Sequence, residues 1–410
     1  MGTKLDIGIA GCGIGGLSVA TMLARDGHRV TLFERFAEPG PVGSGLMLQP
    51  TGIAILQTLG LAEQAIALGA RIDRLHGTAG KRTVLDVSYS ALNDQAFGLG
   101  IHRSALFDIL FRAARESAVT VVAGREVQSC NLNRDKRHFG FADGGSDGPF
   151  DLAVDACGCR SPLVAGQARP LPYGALWTEV DDRSGAAAAR TLSQRYRRAS
   201  QMAGLLPIGV RTGETRPRVA LFWSIRDDQV EQLYADGIEA WRAKWSELWP
   251  EAADYARTID DLSQLTLARY AHRTLRCPVE QALFHLGDAW HSTSPQLGQG
   301  ANTALLDAYA LANALRSTGD IASALDQTLR SRRLHVWLYQ WMSLLLTGVY
   351  QSDSRIVPLL RDWLMGPLSH LYPLDRMQAA MVAGTIGGPL HRLGLTGNSV
   401  RAFTAVPPTV

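Results

Sequence analysis

The chain has 410 residues, 46% of them apolar and 19% charged, and a formal net charge of +3. That length allows two or three domains with a large buried core, and a near-neutral balance without a dense Lys/Arg run excludes a nucleic-acid binder. Five cysteines, Cys12, Cys130, Cys157, Cys159 and Cys277, are odd in number and irregular in spacing, which excludes a disulfide framework and offers no paired zinc ligands. No signal-peptide layout and no apolar stretch of about 18 residues is present, so a cytoplasmic protein is expected.

Lys4 to Ala10 reads as a buried strand, GCGIGG (Gly11 to Gly16) as a glycine loop, and Leu17 to Arg25 as a helix stopped at Asp26-Gly27. His28 to Phe33 is a second strand with Glu34 at its end. Gly11 permits the tight turn, Gly13 lets a pyrophosphate approach the backbone, and Gly16 lets the helix pack close to the sheet. The helix N-terminus offers free N–H groups to phosphates, and Glu34, about 20 residues beyond the glycines, is placed for ribose hydroxyls. Arg35 could contact the adenine or the 2′ region, or be solvated. A second glycine-rich loop, Gly40 to Pro50, precedes a helix over Thr51 to Leu61, and IHRSAL (Ile101 to Leu106) and DLAVDACGCRS (Asp151 to Ser161) follow.

Further on, Ala175 to Asp182, Ser200 to Val210 and Arg218 to Ile225 alternate as strands. Asp227 to Leu248 is helical, with Trp241, Trp245 and Trp249 at the four-residue spacing of a core stripe. GDAWHSTSPQLGQGAN (Gly287 to Asn302) then separates an apolar run, Ala282 to Leu286, from a helix over Thr303 to Leu315. Its glycines leave backbone bare where a planar ligand could approach, and a helix N-terminus beneath would stabilise negative charge on it. His291 in this loop is either an acid/base group or a hydrogen-bonded packing residue, and the packing role is expected; His102 and His272 are weaker candidates. Ser331 to Tyr350 is a Trp/Leu/Tyr-rich helix led by Arg332 and Arg333. It suits a membrane surface, a dimer contact or packing on the rest of the chain, and packing is expected. Gly384 to Val410 is expected to be a loose tail.

Taken together, the Gly11–Gly16 loop, His102-Arg103-Ser104-Ala105-Leu106, Asp151–Ser161 and Gly287–Asn302 occur in the order found in FAD-dependent aromatic hydroxylases of the p-hydroxybenzoate hydroxylase type, which the chain resembles from about Leu5 to Leu315. The resemblance implies an α/β fold. Residues 1–75, 99–170 and 277–330 would form a Rossmann-like FAD-binding domain, 76–98 and 171–276 an inserted β-sheet substrate domain, and 331–410 a C-terminal helical region and tail. FAD would be held by Gly11, Gly13, Ile14, Gly15, Gly16, Glu34, Arg35, Gly45, Arg103 and Val127. The same role falls to Asp288 on the ribityl chain, and to Pro295, Gly298, Gly300, Ala301 and Asn302 along the flavin.

The implied activity is monooxygenation of an aromatic or polyketide-like small molecule, by hydroxylation or epoxidation through a flavin hydroperoxide, with NAD(P)H as transient reductant and no metal. The protein would act as a monomer or homodimer. No catalytic residue stands out; His291, Trp223 and Gln49 are candidates, and Tyr196, Met202, Leu221 and Pro295 join Gln49 and Trp223 as candidates for lining the substrate pocket. Trp223 is favoured, as a large aromatic on the sheet that would roof the flavin.

One departure stands in the second motif, where the family reads Ala-Asp-Gly and this chain reads Ala156-Cys157-Gly158. A thiol cannot accept hydrogen bonds as a carboxylate does, which leaves direct reduction by NAD(P)H open. Asp155 is expected on the same face as Cys157, about 6–7 Å away along a strand. Alternatives are a flavin-dependent halogenase, from a partial match over Leu221–Arg226 to Trp-x-Trp-x-Ile-Pro, a flavin oxidoreductase without oxygen transfer, and a non-enzymatic flavoprotein scaffold.

Overall fold

Five strands run parallel in the order Leu283–His285, Leu152–Asp155, Asp6–Ala10, Arg29–Phe33 and Thr120–Val122, with Val279–Glu280 antiparallel at one edge. The computed structural model describes residues 4–395, apart from 42, 184, 355, 358–360, 362 and 364–370. The central strand Asp6–Ala10 is nearly all apolar because both faces of the sheet are covered. On one face, helix Ile14–Arg25 lies between Arg103–Glu116 and Gly300–Ser317. On the other, a meander of Val127–Asn133, Lys136–Phe141 and Ser146–Phe150 carries Phe139, Phe141 and Phe150 onto Phe33. Gly8 is bare for this reason: a Cβ there would lie 2.6 Å from Phe150.

A second, seven-stranded sheet has the order Thr266–Ala268, Tyr173–Asp181, Arg218–Arg226, Gln201–Gly209, Thr191–Arg197, Arg74–Ala79 and Arg82–Ser88. Side-chain parity decides what each face does. Leu176, Ala203, Leu221 and Trp223 share the outer face and pack under helix Val230–Leu248. Trp241, Trp245 and Trp249 form the expected core stripe there, and Trp223 joins them at centroid distances of 6.4 Å to Trp241 and 5.9 Å to Trp245. The inner face carries Trp177 and Phe222, 4.8 Å apart, with Leu206, Ile208 and Ala220.

A small sheet of Gly45–Leu48, Gly98–His102 and Ala70–Ile72 joins the two halves. Here backbones touch: a Cβ on Gly100 would sit 1.9 Å from the Pro207 carbonyl oxygen, and one on Gly45 would sit 2.6 Å from Ile208.

The long helix Ile321–Tyr350 starts ten residues before the expected tract, capped by Asp320, whose side chain accepts the Ser323 N–H. Its end meets the inner face of the large sheet through Tyr350, which packs on Tyr196 at 5.3 Å. Helix Leu374–Ala383 buries Ala379, Val382 and Ala383 against Met47, Tyr89 and Ile208. The expected loose tail from Gly384 is therefore corrected as far as Leu395. Pro389–Arg392 is a short helix, and Leu393 and Leu395 are buried in the main core because apolar side chains there find a surface to cover. Residues 396–410 lie outside the described residues.

Candidate cofactor groove and active site

The groove begins where strand Asp6–Ala10 hands over to helix Ile14–Arg25. Gly11 has φ of 105° and would drive a Cβ to 2.4 Å from the Ala156 carbonyl oxygen. Gly16 would place one 1.9 Å from the Gly11 oxygen, and Gly15 one 2.4 Å from Leu286. Gly13 differs, because a Cβ on it would meet nothing within 4 Å. Gly11, Gly15 and Gly16 thus hold the turn, and Gly13 leaves open space in front of the helix. The first turn, which includes Ile14, has no acidic residue and no side-chain cap, so its N–H groups face that space free to bind an anion.

Glu34 closes the far end, accepting the Cys12 N–H at 3.0 Å and the Phe36 N–H at 3.1 Å through different oxygens. Each oxygen keeps a second lone pair. Arg35 is exposed, with its guanidinium over the Phe36 ring. Val127 packs its side chain in the phenylalanine cluster, so it can offer the groove backbone only. Gly45 sits in the joining sheet, where close packing on Ile208 demands a glycine.

Arg103 opens helix Arg103–Glu116, its backbone N–H bound to the Ser44 carbonyl and its side chain lying against Gly43. Its Nε is buried without a hydrogen-bond partner among the described residues, and burial lowers its pKa against the opposing charge of Asp288. A buried guanidinium with an idle donor calls for an anion. Asp288 opens onto the groove yet is walled by protein, and that desolvation raises its pKa above the usual carboxylate value. A Cβ on Gly300 would lie 3.9 Å from its Oδ1.

Beyond Asp288 the chain passes Pro295–Leu297, turns at Gly298 with φ of 61°, and enters helix Gly300–Ser317. The first helical bond is Thr303 N–H to the Gln299 oxygen, which leaves the N–H groups of Gly300, Ala301 and Asn302 outside the helical ladder. The Asn302 side chain is spent on the protein: Oδ1 accepts the Gln49 N–H at 2.8 Å, and Nδ2 donates to the Gly298 oxygen at 2.9 Å and the Met47 oxygen at 3.2 Å. Gln49 is buried and its Oε1 accepts the Tyr89 hydroxyl, so it supports the loop from below. A helix start, an open Gly13 and an idle Arg103 as donors, with a groove-facing Asp288 as acceptor, are the set that a dinucleotide with a diphosphate and a polyol chain requires.

Several expectations change. Trp223 and Leu221 point away from this space, onto the outer tryptophan stack, because they occupy the wrong parity of their strand. The Leu221–Arg226 match to a halogenase motif loses its physical meaning with them. Tyr196 and Met202 lie on the inner face, but packed under Tyr350. Asp155 does not stand in for the missing acid. The strand ends at Asp155 and Cys157 has turned to helical angles, so the two do not share a face. Asp155 is fully buried, accepting from Ser161 Oγ at 2.6 Å and the Cys157 N–H at 3.0 Å and contacting His285 Nδ1 at 2.7 Å. Burial, then the charge of Asp155, pushes the Cys157 thiol pKa well up.

His291 is buried with its Nε2 2.6 Å from Asp307 Oδ2. Asp307 also accepts the Gly287 N–H at 3.1 Å and Arg332 Nε at 2.7 Å. Arg332 reaches His335 Nδ1 at 3.1 Å, and His335 Nε2 reaches the Gly384 oxygen at 2.9 Å. His102 caps its helix through Nδ1, accepting the Ser104 N–H, and faces Arg211 and Glu179 with Nε2. His272 sits on a two-residue strand paired with Arg169–Pro170.

Residues to which sequence reasoning assigned no part in the site are Asp307, Arg332, Trp177, Phe222 and Tyr270. Trp177 Nε1 donates to the Tyr270 hydroxyl at 3.0 Å, and Tyr270 in turn feels the charge of Arg103, which ties the inner aromatic face to the groove. For Asp307 a signal existed: a carboxylate between Leu305, Leu306, Ala308 and Leu311 on an apolar helix face needs a buried partner.

A family model described as "FAD binding domain" matches residues 4–338. The chain is 27% identical over 391 residues to the putative 2-heptyl-3-hydroxy-4(1H)-quinolone synthase AqdB1 of Rhodococcus erythropolis, covering 92% of this chain and 96% of that one. It is 30% identical over 358 residues to the phenazine 1,6-dicarboxylic acid hydroxylase PhzS of Lysobacter antibioticus, covering 81% and 87%. The fold superposes on the crystal structure of a variant of Klebsiella pneumoniae HpxO complexed with FAD with a TM-score of 0.78 at 21% identity, covering 94% of this chain and 100% of that one.

Proposed function

The chain belongs to the FAD binding domain family and is an FAD-dependent monooxygenase, and from that premise we propose that it oxygenates a planar aromatic or polyketide-like small molecule, a fused nitrogen heterocycle before others. The observation that carries this reading is the aromatic inner face of the large sheet, where Trp177 packs on Phe222 at 4.8 Å and donates to the Tyr270 hydroxyl at 3.0 Å. Flat apolar side chains suit a flat substrate. The quinolone and phenazine named for two relatives are of that shape.

We further propose that Gly11, Gly13, Ile14, Gly15, Gly16, Glu34, Arg35, Arg103, Asp288, Pro295, Gly298, Gly300, Ala301 and Asn302 hold the cofactor. The free N–H groups at Gly13 and Ile14 and the idle Arg103 guanidinium would neutralise the diphosphate. Asp288 would accept from the ribityl hydroxyls. The N–H groups of Gly300, Ala301 and Asn302 would donate to the pyrimidine edge, with Gln49 and Asn302 keeping the Gly298 turn in place. FAD supplies the redox chemistry, taking two electrons from NAD(P)H and activating O2.

The finer points of the reading are a cytoplasmic location, where NAD(P)H is supplied, and a monomer or homodimer. The division into residues 1–75, 99–170 and 277–330 around a substrate domain at 76–98 and 171–276 belongs to the same proposal, supported by sheet membership.

The test is anaerobic first. Purified yellow protein is mixed with NADPH or NADH and the flavin absorbance followed, with and without quinolones, phenazine carboxylates and phenols. Bleaching that a ring compound accelerates, followed in air by a product carrying one atom of labelled O2, supports the reading. Flavin that stays oxidised with both nucleotides points to an external reductase, with Cys157 the first residue to revert to Asp. Reduction without any oxygenated product across these classes rejects the proposal.

A further inference from the structure

Helix Ile321–Tyr350 has two faces with opposite fates. One is buried on the rest of the chain through Arg332, His335, Val336, Tyr339, Gln340 and Ser343. The other carries Leu334, Trp337, Trp341 and Leu344, which are 38%, 54%, 60% and 40% exposed. Trp337 and Trp341 touch edge to face at 6.4 Å. These four residues fall at alternate spacings of three and four, the seam of a helix that pairs with another helix.

Their order is also symmetric. Leu334-x2-Trp337-x3-Trp341-x2-Leu344 reads the same in both directions about Tyr339. A two-fold axis at right angles to the helix turns this order into self-complementarity. We propose that this face docks on the same face of a second copy of the chain, the two helices running antiparallel about an axis beside residue 339. In that register Leu334 of one copy meets Leu344 of the other, and Trp337 meets Trp341. Arg330 falls opposite Gly348, where a Cβ would meet nothing within 4 Å. Arg333 falls opposite Leu345, which is 70% exposed, so its stem covers that side chain while its charge stays in water.

A lipid surface is the weaker match. Anionic lipid attracts about 1 kcal/mol per basic residue. This face carries Arg330 and Arg333 only, and Arg330 is already paired with Asp326 at 2.7 Å. Two tryptophans and three leucines, partly exposed, offer on the order of 500 Å² per copy, against roughly 800 Å² per partner for a standard stable interface. The dimer is therefore concentration-dependent, with a dissociation constant on the order of micromolar. It also backs the helix whose inner face holds the cofactor loop, through Gln340 on the His291 oxygen and Ser343 on Thr293.

The experiment is sedimentation velocity on the full chain from about 1 to 100 μM. The expected result is a shift from 44.4 kDa toward twice that mass, abolished in Trp337→Glu/Trp341→Glu with flavin content unchanged. Register is read by oxidation in a Cys277→Ser background, since Cys277 is the exposed native thiol. Leu334→Cys/Leu344→Cys should form an interchain disulfide and Leu334→Cys alone should not. A wild-type monomer at 100 μM overturns the proposal. So does a dimer that survives the double Trp variant, a Leu334→Cys variant that cross-links to itself, or sedimentation of the monomer with phosphatidylglycerol vesicles through the same tryptophans.

Discussion

Asp307 and Arg332 are both fully buried and joined by a 2.7 Å hydrogen bond from Arg332 Nε to Asp307 Oδ1. Asp307 Oδ2 meanwhile takes the Gly287 N–H and contacts His291, on the turn that presents Asp288 to the groove. Burial alone would raise the Asp307 pKa, but the charges of His291 and Arg332 outweigh it and hold the carboxyl below its usual value. Asp307→Ala leaves Arg332 buried and uncompensated, which costs about 3–5 kcal/mol. Urea unfolding of Asp307→Ala, Arg332→Leu and the double variant should show the double costing less than the sum. Additive losses would mean that the pair does not act as a unit.

Arg103→Gln keeps a polar side chain but removes the buried charge facing the groove. The FAD dissociation constant should rise roughly 10- to 150-fold, the worth of a hydrogen bond to a charged group. Flavin retention on gel filtration and titration of apoprotein read this directly. Unchanged affinity would place the diphosphate elsewhere.

Gly13 and Gly16 separate cofactor effects from folding effects. Gly13→Ala adds a methyl into open space, so the apoprotein should melt within about 1 °C of wild type while FAD binds more weakly, because the methyl stands where the ligand must approach. Gly16→Ala drives a Cβ to 1.9 Å from the Gly11 oxygen and should destabilise apoprotein and holoprotein alike. Equal melting of the two apoproteins would contradict the geometry.

His335 is held neutral by burial and by Arg332, which donates to its Nδ1, and its pKa lies well below the usual value. A free histidine takes up its proton near pH 6.5. As pH falls through about 6.5, the unfolded chain gains a proton that the folded chain refuses, so stability drops, by at most about 1.4 kcal/mol per pH unit from this one group. Stability is fully present above that range. Urea midpoints at pH 7.5, 6.5 and 5.5 should fall less steeply in His335→Gln than in wild type, with His102, also held below its usual value by burial, supplying part of the residual slope. Parallel slopes would contradict a neutral buried His335.

The two faces of the large sheet predict opposite phenotypes. Trp223→Ala empties the outer tryptophan stack and should cost about 3–5 kcal/mol with little change in substrate KM. Phe222→Leu, one residue earlier on the inner face, should change KM or coupling of NAD(P)H use to product while costing less than about 1.5 kcal/mol. Exchanged phenotypes would reverse the assignment of faces.

The legible part of the molecule was its local chemistry. Glycines at Gly11, Gly13 and Gly16 between a strand and a helix, a carboxylate at Glu34, and the Gly298–Gly300 turn into a helix are short-range devices, so their spacing in the chain carries their geometry. The tryptophan stripe of Trp241, Trp245 and Trp249 was equally readable, because helical periodicity names a buried face without naming what covers it.

What tertiary structure alone decided was parity and partnership. Whether Trp223 or Phe222 faces the groove turns on a one-residue choice of strand face, set by a helix packed from outside. Asp155 was lost as a substitute for the missing acid because the strand stops beneath it, so Cys157 no longer shares its face. Asp307 found Arg332 and His291, and Gly384 found His335, across separations that no spacing rule spans. Each of these depends on which element the chain folds against, and burial of apolar surface, which has no direction of its own, makes that choice only when the whole core assembles.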